Sequence, residues 1–454
     1  MKKTVVINVV GLSASVIGAH TPFIKKWAAK NRMATIQPML PAVTTAVQST
    51  YLTGKWPSEH GIVGNGWYDR TDCEVKFWKQ SNKLVRAEKV WDSLRKQDPT
   101  FSCANMFWWY NMYSTADYSV TPRPNYLADG RKLPDCYSHP ADLRDYLQKE
   151  LGQFPLFQFW GPGANIKSSE WIANASMITD QKFNPTLTLI YLPHLDYCLQ
   201  KRGPEIGKIQ SELKEIDAVV EKLVSFYEKR DARVIMLSEY GIAPVDRPIH
   251  INRILRDEGL LGIRVERGLE LLDAGASKAF AVADHQIAHI YINDPIVKGK
   301  VRSVLEEIPG VELVLDRTQQ PKYNIQHERS GDLVLVADER SWFTYYFWQD
   351  DAKAPDYART VDIHKKPGYD PVEMFMSSKL RAAYKLMRKK AAFRYVMDVI
   401  PLDATLVKGS HGRIGAATEF HPVIIGAHGD ITGSIPATKV FDVISGTVTE
   451  QERS

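Results

Sequence analysis

The stretch between Thr186 and Leu237 constrains the fold more than any other part of the chain. Thr186 to Leu192 and Arg233 to Leu237 are short apolar runs that read as buried strands. Between them Ile206, Ile209, Leu213, Ile216, Val220, Leu223 and Tyr227 recur at three- and four-residue spacing. That is the stripe of an amphipathic helix packed on a sheet. Strand, helix and strand in this order form a crossover unit, which implies parallel strands with helices on the sheet faces. In such sheets function gathers at the carboxyl ends of strands. Here those ends are followed by Asp196 and by Glu239 and Tyr240.

The first residues admit two readings. Met1-Lys2-Lys3 followed by an apolar stretch to Ala19 imitates the start of a secretory signal. The run Thr4 to Val10 is also rich in β-branched residues and ends at Gly11, as the first buried strand of a parallel sheet would, and this reading fits better. No other stretch approaches the roughly 20 apolar residues of a membrane span. From Asp246 to Ile400 the texture changes to short strands such as His289 to Ile292 and Asp332 to Val336, an aromatic run from Trp342 to Trp348, and a Pro- and Asp-rich loop near Pro355 to Pro371. The expected organisation is an α/β core of residues 1–245 and 401–454, with a mainly parallel central sheet between helix layers. An α+β cap of residues 246–400 is inserted in it.

A net charge of +5 on 454 residues is too dilute to suggest nucleic-acid binding, which needs a concentrated basic face. Cys73, Cys103, Cys136 and Cys198 lie far apart and form no C-x-x-C pair, so they read as buried thiols of a reducing compartment, the cytoplasm.

Four segments carry the chemistry. The first runs from Pro41 through Thr44-Thr45 and Tyr51-Leu52-Thr53-Gly54 to His60-Gly61-Ile62 and Asn65. The second is Asp196-Tyr197-Cys198-Leu199-Gln200, closed by Gly203-Pro204; the third is Ser238-Glu239-Tyr240-Gly241; the fourth is Gly409-Ser410-His411-Gly412. In this order they resemble the phosphodiesterase and nucleotide-pyrophosphatase branch of the alkaline phosphatase superfamily, and also the phosphonoacetate hydrolases. The resemblance implies an alkaline phosphatase-like fold, with Thr44 as nucleophile and Asn65 as donor to a phosphoryl oxygen. It makes Asp196, Gln200 and His411 ligands of a first metal, and Glu239 and Tyr240 ligands of a second. A hydroxyl at the start of a helix suits this role, because the dipole and free N–H groups there favour an anionic nucleophile and an anionic phosphoryl ligand.

Several positions depart from the family pattern. Gln200 and Tyr240 stand where the family has histidine, Glu239 where it has aspartate, and Val10 where it has the aspartate that ends the first strand. Asn8, two residues back, is a weak substitute. A conventional zinc pair is therefore not expected. One divalent ion, zinc or manganese, weakly held on the Asp196 and His411 side, is. Asp284 and His285 form the first substitute ligand pair to consider, with His250, His289, Asp362, His364 and Asp403 behind them.

The implied activity is a phosphodiesterase or pyrophosphatase-type hydrolase acting on a phosphorylated small molecule or lipid phosphate. A catalytically impaired member that binds an anionic ligand or partner is the alternative. Phe107 to Tyr110 offers aromatic faces that could flank a substrate. Lys379 to Arg394 places basic residues around the apolar stripe Leu380, Tyr384, Met387 and Ala391, a pattern compatible with peripheral membrane contact.

Overall fold

The computed structural model of the protein describes residues 1–390, 396–426 and 431–449. Its centre is a nine-stranded sheet in the order Ser434–Ile435, Met33–Ile36, Val423–Ile425, Arg233–Leu237, Thr4–Val9, Leu187–Leu192, Cys103–Met106, Tyr118–Pro122, Cys136–His139. The five strands from Arg233–Leu237 to Tyr118–Pro122 run parallel to one another. Val423–Ile425 and Cys136–His139 are antiparallel to the strands they flank. The crossover read from the sequence is present, with its helix at Ile206–Glu228, but its two strands are not neighbours. Thr4–Val9 lies between them and pairs with both.

Every residue of Thr4–Val9 and Leu187–Leu192 is buried. Because successive side chains point to opposite faces, both faces must be covered, which explains the unbroken apolar runs. One helix group, Pro22–Lys30, Lys167–Phe183, His194–Arg202 and Ile206–Glu228, packs together; another joins Thr44–Thr53, Val90–Gln97 and Lys439–Thr449. Residues such as Val5, Val6, Ile7 and Ile190 are fully excluded from water. Burial of each contributes about 1.5–3 kcal/mol.

Residues 246–400 contain a second, four-stranded antiparallel sheet in the order Ala279–Asp284, Ile287–Ile292, Leu333–Ala337, Val311–Asp316. Its first two strands form a hairpin closed by His285 and Gln286, with Asp284 opposite Ile287. His285 sits at φ 61°, a left-handed conformation that is costly for a non-glycine residue and tends to mark functional sites. The aromatic run is core, with Trp342, Phe343, Tyr345, Tyr346, Phe347 and Trp348 all buried.

The cysteines are free thiols; three are buried, but Cys73 is exposed at a turn, against the expectation of four buried thiols. The basic amphipathic segment forms a helix at Lys379–Lys390, while Ala391 and Arg394 lie outside the described residues. Among the described residues no helix is long and apolar enough to cross a membrane.

Candidate active site

Strand register assembles the site. Asn8 is opposite Tyr191 on one side and Leu237 on the other, so three parallel strands end level and their following residues converge. Val10, fully buried, contributes no donor atom there. Asp196 enters from the helix His194–Arg202, and Glu239 and Tyr240 from the loop after Arg233–Leu237.

Thr44 opens the helix Thr44–Thr53, whose cap position is held by Val43 without a side-chain bond. Its hydroxyl is therefore not spent on capping. Thr44 Oγ1 lies 2.9 Å from the Tyr240 hydroxyl, which donates to Asp196 Oδ1 at 3.2 Å. With the phenol's single proton directed at Asp196, Thr44 is the donor to Tyr240. One phenol oxygen thus links the threonine to the carboxylate. Burial pushes the Tyr240 pKa well above its usual value, with Asp196 and Glu239 adding to the rise, so in this arrangement the group is a neutral phenol.

Asp196 also accepts from Gln200 Nε2 at 2.8 Å, and Gln200 Oε1 accepts from the Tyr369 hydroxyl at 2.9 Å. Gln200 therefore turns its nitrogen, not its oxygen, toward the carboxylate. Burial raises Asp196 to about 7, the donors Gln200 and Tyr240 opposing it. His411 stacks on Tyr240, with centroids 3.5 Å apart and planes at 8°. Its Nδ1 lies 2.7 Å from the Ala42 carbonyl, which only an N–H can serve. The lone pair is thus on Nε2, a buried atom without a partner, 3.8 Å from Asp196 Oδ1.

Glu239 is held differently. Its Oε1 accepts from Asn8 Nδ2 at 2.6 Å and also from Gln48 Nε2, while the Gln48 oxygen accepts the Trp109 backbone N–H. Burial raises Glu239 to about 8 against the pull of both amides. The carboxylate is thus engaged by neutral donors on the side where a second metal would be expected.

The hairpin tip of the second sheet completes the floor. Asp284 Oδ2 accepts the Asn65 backbone N–H at 2.7 Å and Oδ1 accepts Asn65 Nδ2 at 3.0 Å, while Asn65 Oδ1 accepts the Thr45 N–H at 3.1 Å. His285 donates to Asp284 from Nδ1 at 2.8 Å and stacks against Tyr369, 3.6 Å between centroids, and His411, 3.8 Å. Burial raises Asp284 to about 6 and drives His285 and His411 well below the usual histidine range.

The other candidates serve elsewhere. His289 bridges the Val63 carbonyl and the Gly331 N–H, His250 bonds Thr344, and Asp403 caps a turn through Thr405. Asp362 and His364 line the wall of the cleft. Sequence reading missed Gln48 and Tyr369. Gln48 carried a signal, lying four residues after Thr44 on the same helix face; Tyr369 carried none.

Among the described residues no three His, Cys, Asp or Glu side chains are grouped to hold a metal ion. A two-ion clamp does not fit, since Val10 has no ligand atom and Glu239 keeps only Oε2 clear of the amides that hold Oε1. A single ion fits better. The orphaned His411 Nε2 faces Asp196 Oδ1, which also accepts from Tyr240, and the two are ligand atoms for one ion.

The floor opens into a cleft of about 1440 Å³ that reaches Thr44, Asp196, Tyr240 and His285. A model of the family "Type I phosphodiesterase / nucleotide pyrophosphatase" matches residues 4–370 of the chain. An uncharacterized pyrophosphatase/phosphodiesterase of Schizosaccharomyces pombe is 25% identical over 252 residues, 53% of this chain and 44% of that protein. The chain thus spans less than half the length of that relative. Among solved structures, an inactive variant of murine ectonucleotide pyrophosphatase/phosphodiesterase 5 in complex with AMP superposes with a TM-score of 0.60 at 14% identity, covering 99% of this chain and 95% of that one. Phosphonoacetate hydrolase from Sinorhizobium meliloti 1021, in complex with phosphonoacetate, superposes with a TM-score of 0.62 at 14% identity, covering 98% and 96%.

Proposed function

The chain belongs to the type I phosphodiesterase / nucleotide pyrophosphatase family, and from that premise we propose that it is a hydrolase of phosphodiester, pyrophosphate or phosphonate bonds with Thr44 as the phosphoryl acceptor. The observation that carries this reading is the chain from Thr44 Oγ1 through the Tyr240 hydroxyl to Asp196, at a helix N-terminus and on the cleft floor. As Thr44 Oγ1 forms a bond to phosphorus, its proton passes to the Tyr240 oxygen and that of Tyr240 to Asp196. The bond to the leaving oxygen, or to the leaving carbon of a phosphonate, breaks in the same displacement; the leaving group takes up a proton from solvent and Asp196 returns its own there before the next turnover. Water then attacks the phospho-threonine, returning the hydroxyl and releasing the phosphoryl product. In this reading the second amide hydrogen of Asn65 and the Thr44 N–H donate to the phosphoryl oxygens, the Thr45 N–H being engaged by Asn65 Oδ1.

A divalent ion, zinc or manganese, is single and weakly held in this reading, with Asp196 and His411 as its protein ligands, and when bound it supplies neutralisation of phosphoryl charge. The murine relative supports a role for threonine, since its inactive variant carries a threonine-to-alanine substitution. A second reading, a binding protein for an anionic ligand, is favoured by one observation, the engagement of Glu239 Oε1 by both Asn8 and Gln48.

Hydrolysis of bis(p-nitrophenyl) phosphate, with metal content measured on the same preparation and Thr44→Ala as control, separates the two. Turnover that disappears in Thr44→Ala supports catalysis through this hydroxyl. Turnover that survives the substitution removes the mechanism, and phosphate binding without turnover leaves the second reading.

A further inference from the structure

Resting on the reading of Thr44 as phosphoryl acceptor, we propose that the cleft above it houses a long apolar chain, so that the substrate is an amphiphilic, lipid-type phosphodiester or diphosphate. The cleft volume of about 1440 Å³ exceeds the roughly 300–1,000 Å³ of ordinary small-ligand pockets. Its polar groups at the reacting end are those of the floor. Next to them stand Trp78 and Trp109, in edge contact at 5.2 Å, and Trp160, packed on Tyr369 at 5.8 Å.

The rest of the lining is chiefly aliphatic and aromatic, with Phe159, Val361, Phe375 and Met397 in it together with part of the helix Lys379–Lys390. That helix turns Ala382, Ala383 and Leu386 into the cleft. Scattered exposed apolar residues need no explanation, but several around one opening do. Phe157 is 51% exposed, Met376 40%, Leu386 49% and Val396 55%, and all four line this cleft. Lys132, Lys201 and Lys379 border the same cleft, and Lys201 follows Gln200 of the floor directly in the chain. The wall also carries polar side chains, Gln80, Arg123, Gln158, Asp362 and His364 among them, so a nucleoside is the competing occupant; the apolar residues gathered around the opening favour an alkyl or isoprenoid chain.

The test is a series of p-nitrophenyl alkyl phosphodiesters with methyl, butyl, octyl and dodecyl arms, assayed as monomers, beside the p-nitrophenyl ester of adenosine 5′-phosphate. Each methylene that enters the walls should raise kcat/KM about fourfold, so the octyl ester should exceed the methyl ester by at least about a hundredfold. Leu386→Asp and Val396→Asp, both at half-exposed positions, should each lower the octyl-to-methyl ratio at least about tenfold. Rates independent of chain length, or a nucleoside ester faster than the octyl ester, would overturn the inference.

A binding arm keeps the two readings apart, with calorimetry of hexadecyl phosphate against methyl phosphate on Thr44→Ala. Chain-dependent binding with no turnover of any ester refutes catalysis and keeps the ligand class. Turnover with equal binding of the two phosphates does the reverse.

Discussion

Replacing Tyr240 by phenylalanine tests the link between the nucleophile and its carboxylate with little disturbance of shape. The ring stays stacked on His411 at 3.5 Å, and only the oxygen that accepts from Thr44 at 2.9 Å and donates to Asp196 at 3.2 Å is lost. Asp196 keeps Gln200 as a donor, so the stability cost should be near the low end of the about 1–3 kcal/mol for an unpaired buried polar group. The catalytic cost should be larger. Positioned proton transfer contributes about 10²–10⁴ in rate, so kcat should fall by about 10²–10³, equivalent to about 2.7–4 kcal/mol of transition-state stabilisation. The assay is kcat and KM on bis(p-nitrophenyl) phosphate for wild type, Tyr240→Phe, Thr44→Ala and the double variant. Tyr240 acts only through Thr44 in this mechanism, so adding Tyr240→Phe to Thr44→Ala should change nothing further. A Tyr240→Phe enzyme within about threefold of wild type, or losses that add in the double variant, would refute the proton route.

Four further outcomes are expected. Restoring the metal-ligand positions together, Val10→Asp, Gln200→His, Glu239→Asp and Tyr240→His, should raise the zinc bound per chain toward two by mass spectrometry, and two tightly bound ions in the unmodified protein would show the ligand assignment to be wrong. His60 accepts the Ile62 N–H on Nδ1, and burial lowers its pKa to about 3, so its neutral form contributes stability that is complete above the unfolded value near 6.5 and lost as pH falls from there toward 3. In urea unfolding at pH 7, 6 and 5, His60→Gln should reduce the acid slope by up to about 1.4 kcal/mol per pH unit, and unchanged slopes would count against a buried neutral imidazole. Lys366 is paired at 2.7 Å with both Asp370 and Glu373 in a buried triad, so Lys366→Met should cost about 3–5 kcal/mol in denaturant titration, a loss under 1 kcal/mol being the contrary result. Leu380 and Met387 are 85% and 66% exposed on a basic helix, so Leu380→Glu with Met387→Glu should reduce co-sedimentation with phosphatidylglycerol vesicles while sparing hydrolysis of a soluble ester, and equal sedimentation would exclude membrane contact through this face.

The core was legible because burial on both faces of a parallel sheet leaves a direct trace in composition. Arg233–Leu237 is observed with the bounds read from the sequence, and Leu187–Leu192 begins one residue later than expected. What the pattern did not encode was spatial order. Apolar runs specify that a strand is central, but not that Thr4–Val9 stands between the two strands of the crossover. The hairpin tip carrying Asp284 and His285 was visible only as a compact donor pair. Its insertion beneath Asn65 and His411 depends on how the second sheet lies against the first, which no local periodicity reports.

The altered residues of the site satisfy one another, and this bears on whether the cleft is still in use. A metal centre that merely decays leaves buried donors and acceptors stranded, each at a cost of about 1–3 kcal/mol. Here the substitutions join two continuous hydrogen-bond chains. One runs from Tyr369 through Gln200, Asp196 and Tyr240 to Thr44, and the other from Asn8 through Glu239 and Gln48 to the Trp109 backbone. Glutamine in place of histidine at position 200 gives Asp196 a donor, and tyrosine at 240 reaches both Asp196 and the nucleophile. The longer reach of Glu239 lets Oε1 meet two amides. Loss of the carboxylate at Val10 removes the charge that a second cation would have balanced, and the neutral amides need no such balance. Within this network His411 Nε2, Glu239 Oε2 and Asn8 Oδ1 are buried without a hydrogen-bond partner. The continuity of the two chains through Asp196 and Glu239 therefore argues for a site reorganised as a unit rather than one abandoned residue by residue.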